Sequence, residues 1–125
     1  GETELVTVRT PHIGGVVEYF KITDGRLELT ATIRGFTSHI IGSRNLDMAV
    51  VGDFDGNQKP ELIVPTQNRR RLAAIERTSV GGEVRWEQEL DSRIVTNVAA
   101  AGTDGDSLTL AIGLEDGRLR VWGPK

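Results

Sequence analysis

The sequence predicts an all-β fold of short antiparallel strands, and three observations support this prediction. Runs rich in Val, Ile, Leu and Thr alternate with short glycine-containing spacers, which is typical of strands joined by tight turns. Glycine outnumbers proline, with 15 residues against 4, and no segment shows a convincing helical period. The strand-and-turn pattern also recurs along the chain at a nearly constant spacing.

Nine runs are predicted to be strands because each is β-branched or alternating and is bounded by Gly, Asp or Pro. In chain order they are 5–8, 16–22, 27–33, 48–51, 61–64, 72–75, 84–86, 108–112 and 119–122. Between these runs lie the pairs Asp24-Gly25, Gly81-Gly82 and Asp116-Gly117, whose tolerance of positive φ favours tight hairpin turns. Segment 69–77 contains helix formers but is equally compatible with a strand that follows a basic turn.

Similar segments recur about 57 residues apart, and a third copy follows at about 48 to 50 residues. The matches are 4–6 with 61–63, 24–29 with 81–86, 49–53 with 99–103, and 62–64 with 110–112. A period of about 40 to 55 residues that holds four short strands is typical of a β-propeller blade.

Residues 1–125 are therefore predicted to form a single segment of a β-propeller, with about three four-stranded antiparallel blades near 4–33, 48–90 and 95–122. The first blade lacks its inner strand and the last its outer strand. Fewer than four blades cannot close a ring and leave apolar faces and strand edges exposed. We therefore expect a homo-oligomer or the remainder of a larger propeller. The alternative fold is a β-sandwich of ten short strands.

Composition restricts the classes of function. The formal net charge is −3, and aromatic residues make up 5% of the chain, which argues against a nucleic-acid partner. No cysteine is present, which excludes disulfides, thiol catalysis and Cys-ligated zinc. No run of about 18 apolar residues exists, so no membrane span is expected.

Residues 52–62 read GDFDGNQKPEL, and this segment resembles the calcium loop of FG-GAP repeats, also called VCBS-type repeats. The resemblance implies that Asp53, Asp55 and Asn57 bind Ca²⁺ through side-chain oxygens, Lys59 through its carbonyl and Glu61 through its carboxylate. Asn57 and Glu61 both stand where Asp is commoner in the family, which implies weaker binding. The alternative is a hairpin held by Asx-type hydrogen bonds without any metal. The corresponding segment 102–106 is shorter, so one site is expected.

A second resemblance overlaps the first. Residues 72–90 (LAAIERTSVGGEVRWEQEL) look like a quinoprotein-type repeat, and residues 113–122 (GLEDGRLRVW) look like the closing hairpin of that repeat and of WD-type blades. The two resemblances together cover nearly the whole chain. They imply architecture more than chemistry, because propellers host lyases, dehydrogenases, adhesins and scaffolds.

Four further residues are candidates for contact with a ligand or partner. His39 lies in the predicted connection between blades, a segment that lines one face of a propeller. Arg69, Arg70 and Arg71 could hold a phosphate, sulfate or carboxylate, although a solvated hairpin also explains them. His12 is expected in a solvated turn.

The sequence thus favours a non-catalytic, calcium-braced module that presents loops, including 35–47, to a protein or glycan partner. The family resemblance implies an extracytoplasmic location. The alternative function is the C-terminal part of an enzymatic propeller, of polysaccharide lyase or quinoprotein type, whose catalytic residues lie outside this chain.

Overall fold

The computed structural model describes residues 3–103 and 107–123, which contain ten strands and no helix. The strands are β1 (Glu4–Arg9), β2 (Val16–Thr23), β3 (Arg26–Arg34), β4 (Val50–Gly52), β5 (Glu61–Pro65), β6 (Arg71–Thr78), β7 (Gly81–Glu89), β8 (Ala99–Thr103), β9 (Ser107–Gly113) and β10 (Leu119–Trp122). The predicted all-β class is confirmed. In this part of the chain, no helix has the length and apolar character that crossing a membrane requires.

The strands form three antiparallel sheets, each built from strands that follow one another in the chain. Sheet I has the order β1-β2-β3, sheet II the order β4-β5-β6-β7, and sheet III the order β8-β9-β10. Each sheet is therefore a meander. No closed ring is present among the described residues, and the sheets number three rather than the two of a β-sandwich.

The three sheets stack, with sheet II in the middle. One apolar cluster joins sheets I and II, and its buried members are Val17, Tyr19, Ala31, Phe36, Leu62, Val64, Ala73 and Ile75. A second cluster joins sheets II and III, and its buried members are Met48, Ile63, Leu72, Ala74, Leu90, Ile94, Val98, Leu110, Ile112 and Leu114. Trp86 and Trp122 pack against this second cluster. Because alternate residues of β5 and β6 enter different clusters, both faces of sheet II are buried along these two inner strands.

One of the predicted hairpin turns is present in the structure, and another is not. Asp24 and Gly25 both have positive φ, 50° and 74°, as predicted for the turn between β2 and β3. The prediction that Gly81-Gly82 forms a turn is wrong, because both glycines belong to β7 and pair with Thr78 and Arg77. A Cβ on Gly82 would lie 3.5 Å from Cε2 of Tyr19. This glycine therefore lies where sheet I approaches sheet II, while the turn is at 79–80.

Candidate metal centre

The loop between β4 and β5 is folded around its own aspartates. Asp53 accepts hydrogen bonds from the backbone N–H of Gly56 and of Gln58, both at 2.8 Å. Asp55 accepts one from the N–H of Asn57 at 3.0 Å. Gly56 and Gln58 have positive φ, 79° and 67°, so the backbone curls back on itself within a few residues. The Asx-type hydrogen bonding predicted for a metal-free hairpin is thus present.

The same fold brings three carboxylates together. Asp53, Asp55 and Glu61 each offer an oxygen, and these oxygens all lie within 4.8 Å of one another. Asp55 is exposed and Asp53 is half-buried, whereas Glu61 is 0% exposed. Because like charges at this distance repel, the ionised cluster needs a proton or a cation to balance it.

Glu61 is the buried member of the cluster and carries an oxygen without a hydrogen bond. Its Oε2 accepts a hydrogen bond from the N–H of Phe54 at 2.8 Å. Its Oε1 is buried and has no hydrogen-bond partner among residues 3–103 and 107–123. Burial raises the pKa of Glu61, and the neighbouring Asp55 and Asp53 carboxylates raise it further, while the Phe54 N–H opposes both effects. An ionised Glu61 therefore requires positive charge at the side where the aspartates lie.

Asn57 and Lys59, the other two predicted ligands, have contacts beside the three carboxylates. The amide oxygen of Asn57 accepts a hydrogen bond from the N–H of Lys59 at 2.7 Å, and its Nδ2 donates to Asp55 at 3.1 Å. Nδ2 also donates to Glu76 at 3.0 Å. The Lys59 ammonium lies 3.8 Å from Glu76. The structure thus brings Asp53, Asp55 and Glu61 together, and places Asn57 one hydrogen bond away.

Glu76 is a residue of the site that the sequence analysis did not identify. It lies on β6 directly opposite Glu61 in the β5–β6 register and is buried. Its carboxylate lies near the cations of Lys59 and Arg85 and accepts the Asn57 hydrogen bond. Its charge is therefore already balanced. The β5–β6 pairing register would have located it.

Sheet III approaches the loop closely at Gly52, the last residue of β4. A Cβ at this position would lie 2.8 Å from Cδ1 of Leu108 and 3.0 Å from Cε2 of Phe54. The absence of a side chain lets β9 pack beside the start of the loop. The site is thus next to the junction of sheets II and III. Of the second segment considered, 102–106, residues 104–106 lie outside the described residues.

His39 contacts the other histidine of the chain. Its Nδ1 lies 3.2 Å from Nε2 of His12, and its Nε2 lies 3.0 Å from the carbonyl of Ser43. Since a carbonyl only accepts, Nε2 of His39 donates to Ser43. The pair, together with Arg69, lines a cleft of about 190 Å³. This contact joins the turn after β1 to the 35–47 connection.

The three consecutive arginines have separate contacts. Arg69 donates through Nη1 to the carbonyl of Ile94 at 2.9 Å, and burial together with the Arg93 cation lowers the pKa of Arg69. Arg71 lies 3.3 Å from Glu87 across the β6–β7 pair. Arg70 is exposed. Two of the three guanidinium groups are therefore engaged within the chain.

No family model, curated protein or solved structure matches the chain. The chemistry of the site therefore rests on the geometry described above.

Proposed function

We propose that this chain is a non-catalytic β-scaffold whose β4–β5 loop binds Ca²⁺. The observation that carries the proposal is the buried Glu61 carboxylate, one oxygen of which has no hydrogen bond within the described residues while two aspartates lie beside it. A cation placed among the three carboxylates would balance the charge that burial otherwise disfavours.

The oxygen ligands favour calcium over other metals. The cluster consists of carboxylates, and hard oxygen ligands suit Ca²⁺ and Mg²⁺ more than zinc or copper. Ca²⁺ accepts six to eight oxygens in irregular geometry, whereas Mg²⁺ demands a near-octahedral shell and retains waters. A single loop with ligands at short spacing suits an irregular arrangement. In this proposal the Lys59 carbonyl adds a further oxygen, and the Asn57 amide oxygen joins it by giving up its hydrogen bond from the Lys59 N–H.

The bound cation would brace the loop. Three carboxylates repel one another without it, so its binding would hold the β4–β5 hairpin closed beside sheet III. A braced scaffold loses little entropy when its loops bind, which favours presentation of segment 35–47 to a protein or glycan partner. In this proposal the stacked sheets are consecutive blades of a partial FG-GAP-type propeller. The location is extracytoplasmic, where calcium is plentiful enough for a weak site.

Calorimetric titration with CaCl₂ and separately with MgCl₂ tests the proposal on chelator-treated chain. We expect one calcium site, with binding weaker for magnesium, and a higher melting temperature in calcium. The variant Glu61→Gln should lower calcium affinity at least about tenfold, equivalent to roughly 1.4 kcal/mol. Glu89→Gln is the matched control, because Glu89 is exposed at the end of β7, opposite Arg71, and lies outside the cluster.

Two outcomes would contradict the proposal. The first is a wild-type chain that shows neither binding heat nor a shift in melting temperature at millimolar calcium. The second is equal loss of binding in Glu61→Gln and Glu89→Gln, which would indicate screening of the overall negative charge rather than a defined site.

A further inference from the structure

The outer face of sheet I, which points away from sheet II, is apolar and exposed. Val6, Val17 and Tyr19 point toward sheet II, so the residues that alternate with them point outward. The β2–β3 register shifts by one residue between Ala31 and Leu29, so that Leu29 and Leu27 lie opposite Phe20 and Ile22 and point outward with Leu5. Val16 lies on the same face but is buried, so the exposed apolar surface is the part formed by these five residues. Ile22 is 65% exposed and Leu27 is 61% exposed. We call this surface the large-residue face.

Sheet III also has an apolar outer face, but with smaller side chains. Leu110 and Ile112 point toward sheet II, so the residues that alternate with them on β9, and their partners on β8 and β10, point outward. These residues are Ala99, Ala101, Thr109, Ala111, Leu119 and Val121. Leu119 is 68% exposed and Val121 is 55% exposed. We call this surface the small-residue face.

The two junctions between sheets have the same polarity, because corresponding faces of sheets II and III meet the sheet that precedes them in the chain. On β5, Leu62 and Val64 pack toward sheet I, and Ile63 packs toward sheet III. Leu110 and Ile112 on β9 likewise pack toward the preceding sheet. The small-residue face of sheet III is therefore equivalent to the face of sheet II that meets sheet III. By the same reasoning, the large-residue face of sheet I is equivalent to the face of sheet II that meets sheet I.

Equivalent backbone hydrogen bonds lie at both junctions. Between sheets I and II, Thr37 N–H donates to Pro65 at 3.0 Å, and Gln67 N–H donates to Gly35 at 2.8 Å. Between sheets II and III, Val95 N–H donates to Gly113 at 3.0 Å, and Glu115 N–H donates to Arg93 at 2.8 Å. Neighbouring sheets are thus placed in the same way at both junctions, and a third contact of the same kind would extend the stack of sheets.

Side-chain size favours contact between unlike faces. Leu and Phe on one surface can fill the space above Ala99, Ala101 and Ala111 on the other, whereas two surfaces of large residues would leave voids. Charge opposes this contact little. On the large-residue face, Arg9 and Glu18 form an ion pair at 2.7 Å, and the exposed Arg34 lies at the end of the edge strand β3. The residues named on the small-residue face are uncharged.

We propose that a second copy of this chain covers these surfaces, with the large-residue face of one copy packed on the small-residue face of the next. The contact is heterologous, so it closes into a ring if the rotation permits and otherwise extends as a filament. This inference does not depend on calcium, because it rests on the packing of the three sheets.

Light scattering after size exclusion, over a concentration series, tests the proposal with two variants. Leu29→Asp places a charge on the large-residue face, and Val121→Asp places one on the small-residue face. We expect the wild-type chain to exceed monomer mass and each variant to be monomeric at the same concentration. A one-to-one mixture of the variants should form a dimer, since each retains the face that the other lacks. Val80→Asp is the control, because Val80 is exposed in the β6–β7 turn and lies on neither face.

Three results would overturn the proposal. A wild-type chain that stays monomeric to about 0.5 mM, an affinity too weak for a specific assembly, would mean that something other than a second copy covers the faces. A mixture that stays monomeric would exclude contact between unlike faces. Self-association of either variant alone would indicate that like faces meet.

Disulfide trapping provides a second readout that does not depend on the charged variants folding. The chain has no cysteine, so Leu27→Cys and Val121→Cys introduce single thiols. The two variants should form mixed disulfides at least about tenfold faster than either forms its own homodimer, as expected for proximity in a specific complex. Equal rates for mixed and self pairs would contradict the proposed contact.

Discussion

Tyr19 is a phenol buried between sheets I and II, and its hydroxyl has no hydrogen-bond partner within the described part of the chain. Burial raises the pKa of Tyr19 to about 12, and the Arg77 guanidinium only partly opposes this shift. The fold thus favours the neutral phenol. The stability it contributes is complete below the unfolded pKa of 10.0 and is lost as the pH rises through the folded value.

Because the chain has one tyrosine, near-ultraviolet absorbance during alkaline titration follows this residue alone. We expect a midpoint near 12 in the folded chain, accompanied by unfolding, and a midpoint near 10 in denaturant. A folded-state midpoint equal to the denatured one would show that the Tyr19 hydroxyl is hydrated.

Gly15 has no room for a side chain. An added Cβ would lie 1.7 Å from the backbone carbonyl oxygen of Phe36, and the Gly15 N–H donates to Oε1 of Gln67 at 2.7 Å. Gly15→Ala must therefore move backbone at the junction of sheets I and II. We expect it to lower the free energy of unfolding by about 3 kcal/mol, measured by chemical denaturation. Gly123→Ala, where no atom lies within 4 Å of the added Cβ, should change stability by less than about 0.5 kcal/mol.

The candidate metal loop shows how far single residues can be predicted. The resemblance of residues 52–62 to a calcium loop implied that Asp53, Asp55 and Glu61 meet, and the structure brings their carboxylate oxygens within 4.8 Å of one another. The contacts of Glu76 with Asn57, and of His12 with His39, join residues 19 and 27 positions apart. Such pairs depend on strand register and on the stacking of sheets, which a local pattern does not contain.

At the scale of elements, β5 is the strand with the most complete burial, and its residues pack alternately on sheets I and III. Ile63 is fully buried among the residues that join sheets II and III. Ile63→Ala removes buried methyl groups and leaves a cavity, and we expect a loss of about 3 kcal/mol in the free energy of unfolding. Val51→Ala on the adjacent β4, where the side chain is exposed, should cost less than about 1 kcal/mol. Similar losses at both positions would contradict the assigned packing.

The strands were largely predictable because their signals are local, whereas one turn was not. Continuous apolar runs predicted β5 and β6, and Asp24-Gly25 predicted the turn after β2. Gly81-Gly82 carried the same signal but belongs to β7, where Gly82 lies beside the Tyr19 ring. A glycine within a strand and a glycine in a turn look alike in the sequence. The Ala-rich β8 has weak strand propensity, and its own residues predict it poorly.

At the scale of the whole molecule, burial is concentrated in the middle sheet, so local stability should be uneven. Backbone amides of β5 and β6 are hydrogen-bonded in the interior strands of sheet II, whereas β1 and β10 are edge strands. We expect hydrogen exchange at the β5 and β6 amides to be at least about 100-fold slower than at β1 and β10 in the monomeric Leu29→Asp variant. Uniform protection across all ten strands would show that the sheets open only together.

The meander order of each sheet has a consequence for the speed of folding. Every pair of hydrogen-bonded strands is consecutive in the chain, so each sheet can form by closing short loops, and only the junctions bring distant residues together. Proteins whose strands pair across long loops fold slowly, because the entropy of closing each loop is lost before the stabilising contacts form. Tryptophan fluorescence in a rapid-mixing experiment should accordingly show refolding at the fast end of the millisecond-to-second range of all-β domains, with packing of the sheets as the final step.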